Sequence, residues 1–353
     1  MYICQSNFFA DDLARASFIF FAASEPTLES TSNPYKHCLP IMKFPFELAE
    51  NRRFDVVGYG TNAVDFLIRV PEYPAYSSKI ELSDYVQAAG GEIATTMVGL
   101  RRLDLKTAYV GRFGDDREGA FGLQTLRDEA VDVSFAEQIK GARTQIAFIV
   151  IDERSGERTV IWHRDQLLAY AEKDAPLEAS ALGKVLHFTA HDTRACLQMA
   201  RQAKTNGTIV SSDIDNVFDG INELLPQVDV LISSIEFPEK LVGIKDRHAS
   251  LRAIKGRFGC RVVGMTLGEK GSLILCEDKF IETTGYEVPN GCVDTTGAGD
   301  AFRVGLLYGL VKGETIETSA QMANAVAALK CRALGARTAL PNLDELSELI
   351  QSK

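Results

Sequence analysis

The chain lacks what a membrane protein, a disulfide-stapled domain or a nucleic-acid binder needs. No run approaches the roughly eighteen consecutive apolar residues that cross a bilayer. The nearest, residues 16–23 with Phe18, Ile19, Phe20 and Phe21, follows Asp11 and Asp12 rather than a basic stretch. No clean small-residue cleavage site follows it, so it does not read as a signal peptide. Cysteine is sparse: seven residues, at 4, 38, 196, 260, 276, 292 and 331, odd in number and without a Cys-x-x-Cys pair. That spacing argues against a disulfide framework or a zinc site and fits reduced thiols in the cytoplasm. Basic charge is also short, with 38 Lys and Arg against 48 Asp and Glu and a net charge of −10. A polyanion finds no general attraction there, although a local pocket for one phosphate is still allowed. Nucleic acid and membrane are therefore not expected partners.

What the chain has is core-forming material: 353 residues with 46% apolar content, enough for one large α/β domain and too apolar for general disorder. Residues 1–50 carry little glycine and no alternation of elements, whereas a βα rhythm starts at Phe54, with Met42 just upstream. They are expected to be an N-terminal extension, poorly ordered or belonging to a mis-assigned start, and residues 51–353 the domain. Apolar strand signals at 55–58, 107–110, 184–188, 208–211, 228–232, 261–266 and 272–276 alternate with helical patterns at 92–103, 118–130, 193–205, 250–258, 298–311, 318–333 and 343–350. This is the pattern of strands covered by helices on both faces of a mostly parallel sheet. Two segments break the rhythm, about 66–88 with Pro71 and Pro74, and about 143–165, which reads as a hairpin turning at 152–156. Paired, they would make a small separate sheet, a lid over a site; an antiparallel edge on the main sheet is the other reading.

The segment Val293-Asp294-Thr295-Thr296-Gly297-Ala298-Gly299-Asp300-Ala301-Phe302 leads into an apolar helical pattern. Two glycines at a loop-to-helix junction let amide N–H groups converge where the helix dipole is positive, an arrangement that binds an anion. An acid in the helix's first turn beside that anion can accept the proton of an attacking hydroxyl. Taken alone, Asp300 would read as an acid favoured by the helix dipole and the glycines as a tight turn. The combination is harder to explain as packing.

This segment resembles the C-terminal signature of the PfkB family of carbohydrate kinases, with a ribokinase-like fold, and the similarity extends over about residues 54–345. The resemblance implies an α/β, three-layer αβα domain with a mostly parallel central sheet and a small β-sheet lid. It implies an ATP-dependent kinase acting on a hydroxyl of a small sugar or sugar-like molecule. Asp300 would be the base, and Gly297, Ala298 and Gly299 the anion hole. Asp294 with the Thr296 backbone would help hold a monovalent cation such as K+. In Gly58-Tyr59-Gly60-Thr61-Asn62-Ala63-Val64-Asp65, Asp65 matches the acid that binds substrate hydroxyls, with Asn62 in the same turn; read by itself, Asp65 is as good a cap. Gly90-Gly91 matches the family's paired glycines, or a plain turn, but the family's Asn four residues on is Thr95 here. Gly111-Arg112-Phe113-Gly114-Asp115-Asp116 completes the N-terminal signature, its acids expected to shape a loop and cap the next helix.

On the nucleotide side, Thr266, Gly268 and Gly271 resemble the loop beneath the ATP phosphates. Asn324 matches a position near the adenine, and Gly335 the cation and nucleotide loop. The family's Asn-x-x-Glu motif, linked to Mg2+, is degraded to Ser233-Ser234-Ile235-Glu236, leaving Glu236, or Glu239 in a shifted alignment. On the lid, Arg164 beyond Trp162 could close over a sugar or phosphate, or be a solvated hairpin edge; His191-Asp192 could line a site or cap a helix. Two other functions fit the residues: a nucleoside kinase of the adenosine type, and a non-catalytic sugar-binding regulator, favoured by the changes at Thr95 and Ser233–Glu236. Exposed lid edges leave room for a homodimer through the lid.

Overall fold

The computed structural model describes residues 42–154 and 158–352. Most of the expected N-terminal extension lies outside them. Residues 42–50 belong to the body, which corrects the expected boundary near 51: Phe44 is buried in the core, and the Ile316 amide donates to the Met42 carbonyl at 2.9 Å.

Strands are β1 Phe54–Tyr59, β2 Ala63–Val70, β3 Asp84–Gly90, β4 Thr107–Gly114, β5 Asp132–Ile139, β6 Ile146–Asp152, β7 Arg158–His163, β8 Gly183–Thr189, β9 Ile209–Ile214, β10 Val230–Ser233, β11 Val262–Thr266, β12 Ser272–Cys276 and β13 Lys279–Thr283. Helices are α1 Glu92–Arg102, α2 Arg117–Asp128, α3 Leu177–Ser180, α4 Thr193–Thr205, α5 Ile221–Leu224, α6 Phe237–Val242, α7 Arg247–Phe258, α8 Ala298–Lys312, α9 Ile316–Lys330 and α10 Leu343–Gln351. Among the described residues, nine strands form one sheet in the order β13-β12-β11-β10-β9-β8-β1-β4-β5, paired parallel except where β12 runs antiparallel to both β11 and β13. The sequence pattern missed β5 and β13. Both lie at sheet edges and are largely polar and half-exposed, so neither carries the continuous apolar run of a strand covered on both faces.

The sheet's two faces make two cores, one with α1, α8 and α9, the other with α4 and α7. Local chemistry fixes the helix ends. Asp116 accepts the Gly119 amide at the start of α2 at 2.8 Å, Asn342 and Glu345 cap α10 reciprocally, and Gly313 closes α8 at φ 75°.

The lid is a sheet of its own, in the order β3-β2-β6-β7. Its register sorts the side chains, because partners in a cross-strand row share a face. Ala88, Asp65, Ala147 and Trp162 form one row. The next row along β2 has Gln87, Phe66, Phe148 and Ile161 and therefore faces the other way. The first face is the buried one, where Leu67, Ile149 and Ile151 pack with Ala88 and Leu334.

In the main sheet the winding reverses between β1 and its neighbour β8, which opens a crevice at their carboxyl ends, the place where open α/β sheets take ligands.

Candidate active site

Four segments meet at that crevice: the turn after β1, the start of α1, the ends of β8 and β9, and the start of α8. Gly297 holds the α8 N-terminus at φ 76°, and no side chain caps it. A Cβ on Gly297 would lie 2.8 Å from Ala336 Cβ, so both backbone angle and packing require glycine. No side chain therefore competes with an anion at the first turn, although the Ala298 amide donates to the Thr295 carbonyl at 3.1 Å. Asp300 stands half-buried in that turn, with its backbone carbonyl 3.4 Å from the Thr96 hydroxyl of α1.

The electrostatics of the crevice are carboxylate against carboxylate. Desolvation, then Glu92 and Asp213, raise the Asp300 carboxyl well above its usual range. Burial, then Asp215, pushes Glu92 up to about 7. Asp213 also reaches about 7 through burial, although the Arg303 guanidinium that pairs with it works in the opposite direction. Arg303 further donates to the Gly299 carbonyl at 2.9 Å and the Ile232 carbonyl at 3.1 Å, tying the glycine loop to β10. Glu92 accepts the Thr61 hydroxyl at 3.1 Å. It lies 3.7 Å from His191 Nδ1, whose imidazole burial and then Arg164 hold below its ordinary value. Neither Glu92 nor Asp213 was a candidate from sequence. Glu92 read only as a helix start, and Asp213 gains its meaning from Arg303, ninety residues away.

Asp65 is buried on the inner lid face. Burial pushes it up to about 6 against the pull of Arg337, and Asp294 adds to the rise. Arg337 was not anticipated: it is buried, donates to the Gly90 carbonyl and to Thr95 Oγ1 at 3.4 Å. Burial lowers it to about 10 despite Asp65 and Asp300 nearby. Thr95 is fully buried and faces this guanidinium. Gly91, at φ 87°, would drive a Cβ to within 2.3 Å of Asn62 Cα, so contact with the β1–β2 turn requires this glycine, whereas Gly90 lies against the Asp65 carboxylate. Asn62 spends its amide hydrogens on Tyr109 at 2.7 Å and the Arg112 carbonyl at 2.9 Å. Arg164 forms a bidentate pair with Asp192 at 2.9 and 2.8 Å, and the two line a narrow recess with Asn62, Thr61 and Tyr170.

Asp294 accepts the Thr296 amide on Oδ1 at 2.8 Å and the Gly335 amide on Oδ2 at 2.8 Å. Burial alone would raise its carboxyl, but Lys330 and these amides hold it below the usual range. Lys330, also absent from the sequence reading, donates to the Asp294 carbonyl at 2.7 Å. Arg158 of the lid strand β7 donates to Thr295 Oγ1.

On the nucleotide side, Thr266 ends β11 opposite Ser272. Gly268 and Gly271 turn at φ 62° and 95°, and a Cβ on Gly271 would stand 1.9 Å from the Thr283 carbonyl. Asn324 is buried, donating to Thr283 Oγ1 at 2.8 Å and to the Ala320 carbonyl at 2.9 Å, which pins α9 to the β12–β13 hairpin. Glu236 lies elsewhere, at the start of α6, lining a surface cavity with Glu239, Lys240, Lys245 and Arg247. Among the described residues no three His, Cys, Asp or Glu side chains converge to hold a metal ion.

The crevice thus brings together a helix N-terminus without a side-chain cap, a raised carboxyl in its first turn and a buried acid on the lid. Comparison with known proteins gives the family. Residues 53–343 match the model of the pfkB family of carbohydrate kinases, and the chain belongs to that family. It is an ATP-using phosphotransferase with an alcohol acceptor. An uncharacterized sugar kinase of Archaeoglobus fulgidus is 31% identical over 69% of this chain and 98% of its own length. Fructokinase-1 of Oryza sativa subsp. japonica is 29% identical over 84% of this chain and 98% of its own. The structure of Arabidopsis thaliana ribokinase complexed with ribose and ATP superposes with a TM-score of 0.74, at 22% identity, over 84% of this chain and 99% of that one. No helix among the described residues is long and apolar enough to cross a membrane.

Proposed function

We propose that the chain transfers the γ-phosphoryl group of ATP directly to a hydroxyl of a small sugar, with no phosphoenzyme. Asp300 takes the hydroxyl proton, the freed oxygen attacks phosphorus in line, and the amides of Gly297, Ala298 and Gly299 hold the charge on the equatorial oxygens. Asp65, in its carboxylate form, orients the acceptor by accepting from two of its hydroxyls. The observation that carries this reading is the placement of Asp300 in the first turn of the uncapped α8, with its ionisation coupled to Asp65 on the lid.

The rice relative's name favours a ketohexose as the acceptor. Mg2+ would come on the phosphates of the nucleotide, neutralising their charge; the described residues offer no cluster of three His, Cys, Asp or Glu for it, and this ion is usually bound through one or two carboxylates and substrate phosphates. Thr266, Gly268 and Gly271 would border the nucleotide. A homodimer would form through the outer lid face.

The test is an acceptor panel of ketohexoses, sugar acids, ribose and nucleosides, scored by ADP release. Asp300→Asn is expected to lower turnover about 10²–10⁴-fold with ATP affinity nearly intact. Near-normal turnover in that variant overturns the assignment. Tight sugar binding without ADP release from any acceptor would favour a regulator.

A further inference from the structure

The resemblance assigns a monovalent cation to Asp294 and the Thr296 backbone, and the residues present do not fit one. Both Asp294 carboxylate oxygens already accept amides, from Thr296 and Gly335. The Asp294 carbonyl accepts Lys330 Nζ at 2.7 Å, and the same nitrogen lies 3.7 Å from Oδ2. Of the side-chain oxygens here only Thr296 Oγ1 is buried without a partner, so an ion would have to be held chiefly by backbone carbonyls, and Lys330 Nζ already occupies that of Asp294. Positive charge is already supplied, by Lys330 beneath the loop and by Arg158 of the lid above it at Thr295. A further cation would be repelled by both.

Lys330 is the last residue of α9 and is 0% exposed. A lysine is almost never that buried unless paired. Its partner is the residue that opens the anion-binding loop, and the loop is stitched to the end of α9 by the Val293 amide on the Cys331 carbonyl at 2.8 Å. Two turns, 293–300 and 331–335, are thereby clamped around one ammonium group.

We infer that Lys330 is a tethered cation: it supplies from within the chain the positive charge that the resemblance assigns to K+, so that the anion hole is set without a monovalent ion. This rests on the kinase reading above. A lysine differs from an ion in two ways that can be measured. It cannot be washed out, and removing its charge while opening its space should create a vacancy that an ion can fill.

The test uses the full-length protein with tetramethylammonium replacing K+ at constant ionic strength. Wild type is expected to release ADP within about twofold of its rate in KCl, with no saturable thallium(I) NMR signal and no K+-specific rise in melting temperature. Saturable activation of wild type by K+ of about tenfold or more, or saturable thallium binding to it, overturns the inference. Lys330→Ala is expected to lose turnover by about a hundredfold or more in tetramethylammonium and to recover at least about tenfold with K+ or methylammonium. Lys330→Met, which fills the space without charge, is expected to lose as much and recover nothing. If Lys330→Ala folds and no cation restores it, the lysine is a structural pin and the inference falls; if it does not fold, the wild-type measurements decide. A wild type that turns over no acceptor defeats the kinase reading, while thallium binding and melting still decide the cation question.

Discussion

Gly90 and Asp65 are in such close contact across the lid strands that a Cβ on Gly90 would stand 2.0 Å from Asp65 Oδ2. The glycine is what lets a buried carboxylate sit against the backbone at the mouth of the crevice, and its carbonyl in turn receives Arg337. Gly90→Ala must displace either Asp65 or the strand. The expected result is an acceptor KM raised by about tenfold or more, equivalent to roughly 1.4 kcal/mol, with ATP KM within about twofold. Steady-state kinetics with each substrate varied checks it; an unchanged acceptor KM would remove Asp65 from the acceptor site.

The carboxylate cluster fixes the sign of the pH dependence. A base works only when ionised, and Asp300, the proposed base, is raised well above its ordinary value by burial, then Glu92 and Asp213. Turnover should therefore fall as pH is lowered, and because Glu92 itself rises to about 7, the loss belongs to a coupled set rather than to one group. Glu92→Gln removes a negative neighbour, which lets Asp300 ionise at lower pH. The acid limb of the kcat/KM profile should move to lower pH in that variant. A limb that stays in place, or moves up, contradicts the coupling.

Trp162 is the only tryptophan of the chain. It shares a lid row with Asp65 and is 57% exposed. An aromatic ring left open on the same face, two strands from the proposed acceptor acid, offers a stacking face for a sugar. Acceptor binding should alter its intrinsic fluorescence saturably. Trp162→Ala should raise acceptor KM about three- to tenfold, equivalent to roughly 0.7–1.4 kcal/mol. Fluorescence that ignores the acceptor while ADP is being released would place Trp162 outside the acceptor site.

The outer lid face carries Phe66 and Phe148 stacked at 5.3 Å, with Ile161 in the same row. Phe148 and Ile161 are exposed. A contiguous apolar patch of this kind is what a self-complementary interface uses. Sedimentation velocity should show a dimer, and Phe148→Glu should convert it to a monomer that keeps its fold by circular dichroism. A wild-type monomer at micromolar concentration would count against this interface.

Much of the scaffold could be read from the chain because its signals are local. Apolar runs gave the interior strands, and Asp294–Asp300 gave the helix start with its acid. The half-polar β5 and β13 lacked that signal. So did Lys330 and Arg337, which in sequence are one lysine ending an alanine-rich helix and one arginine after Gly335-Ala336. Glu236 is an acid whose sequence position said nothing of its setting: it lines a surface cavity with Glu239, Lys240, Lys245 and Arg247.

The sequence by itself determined the alternation of strands and helices, the glycine loop and the acid at its helix start, because each depends on neighbours within a turn or two. Only the tertiary structure decided which charges stand together. The buried lysine meets Asp294 from thirty-six residues away, and Arg337 reaches Gly90 across two hundred and forty-seven. In a desolvated site such pairings are strong, and no local pattern in the chain announces them.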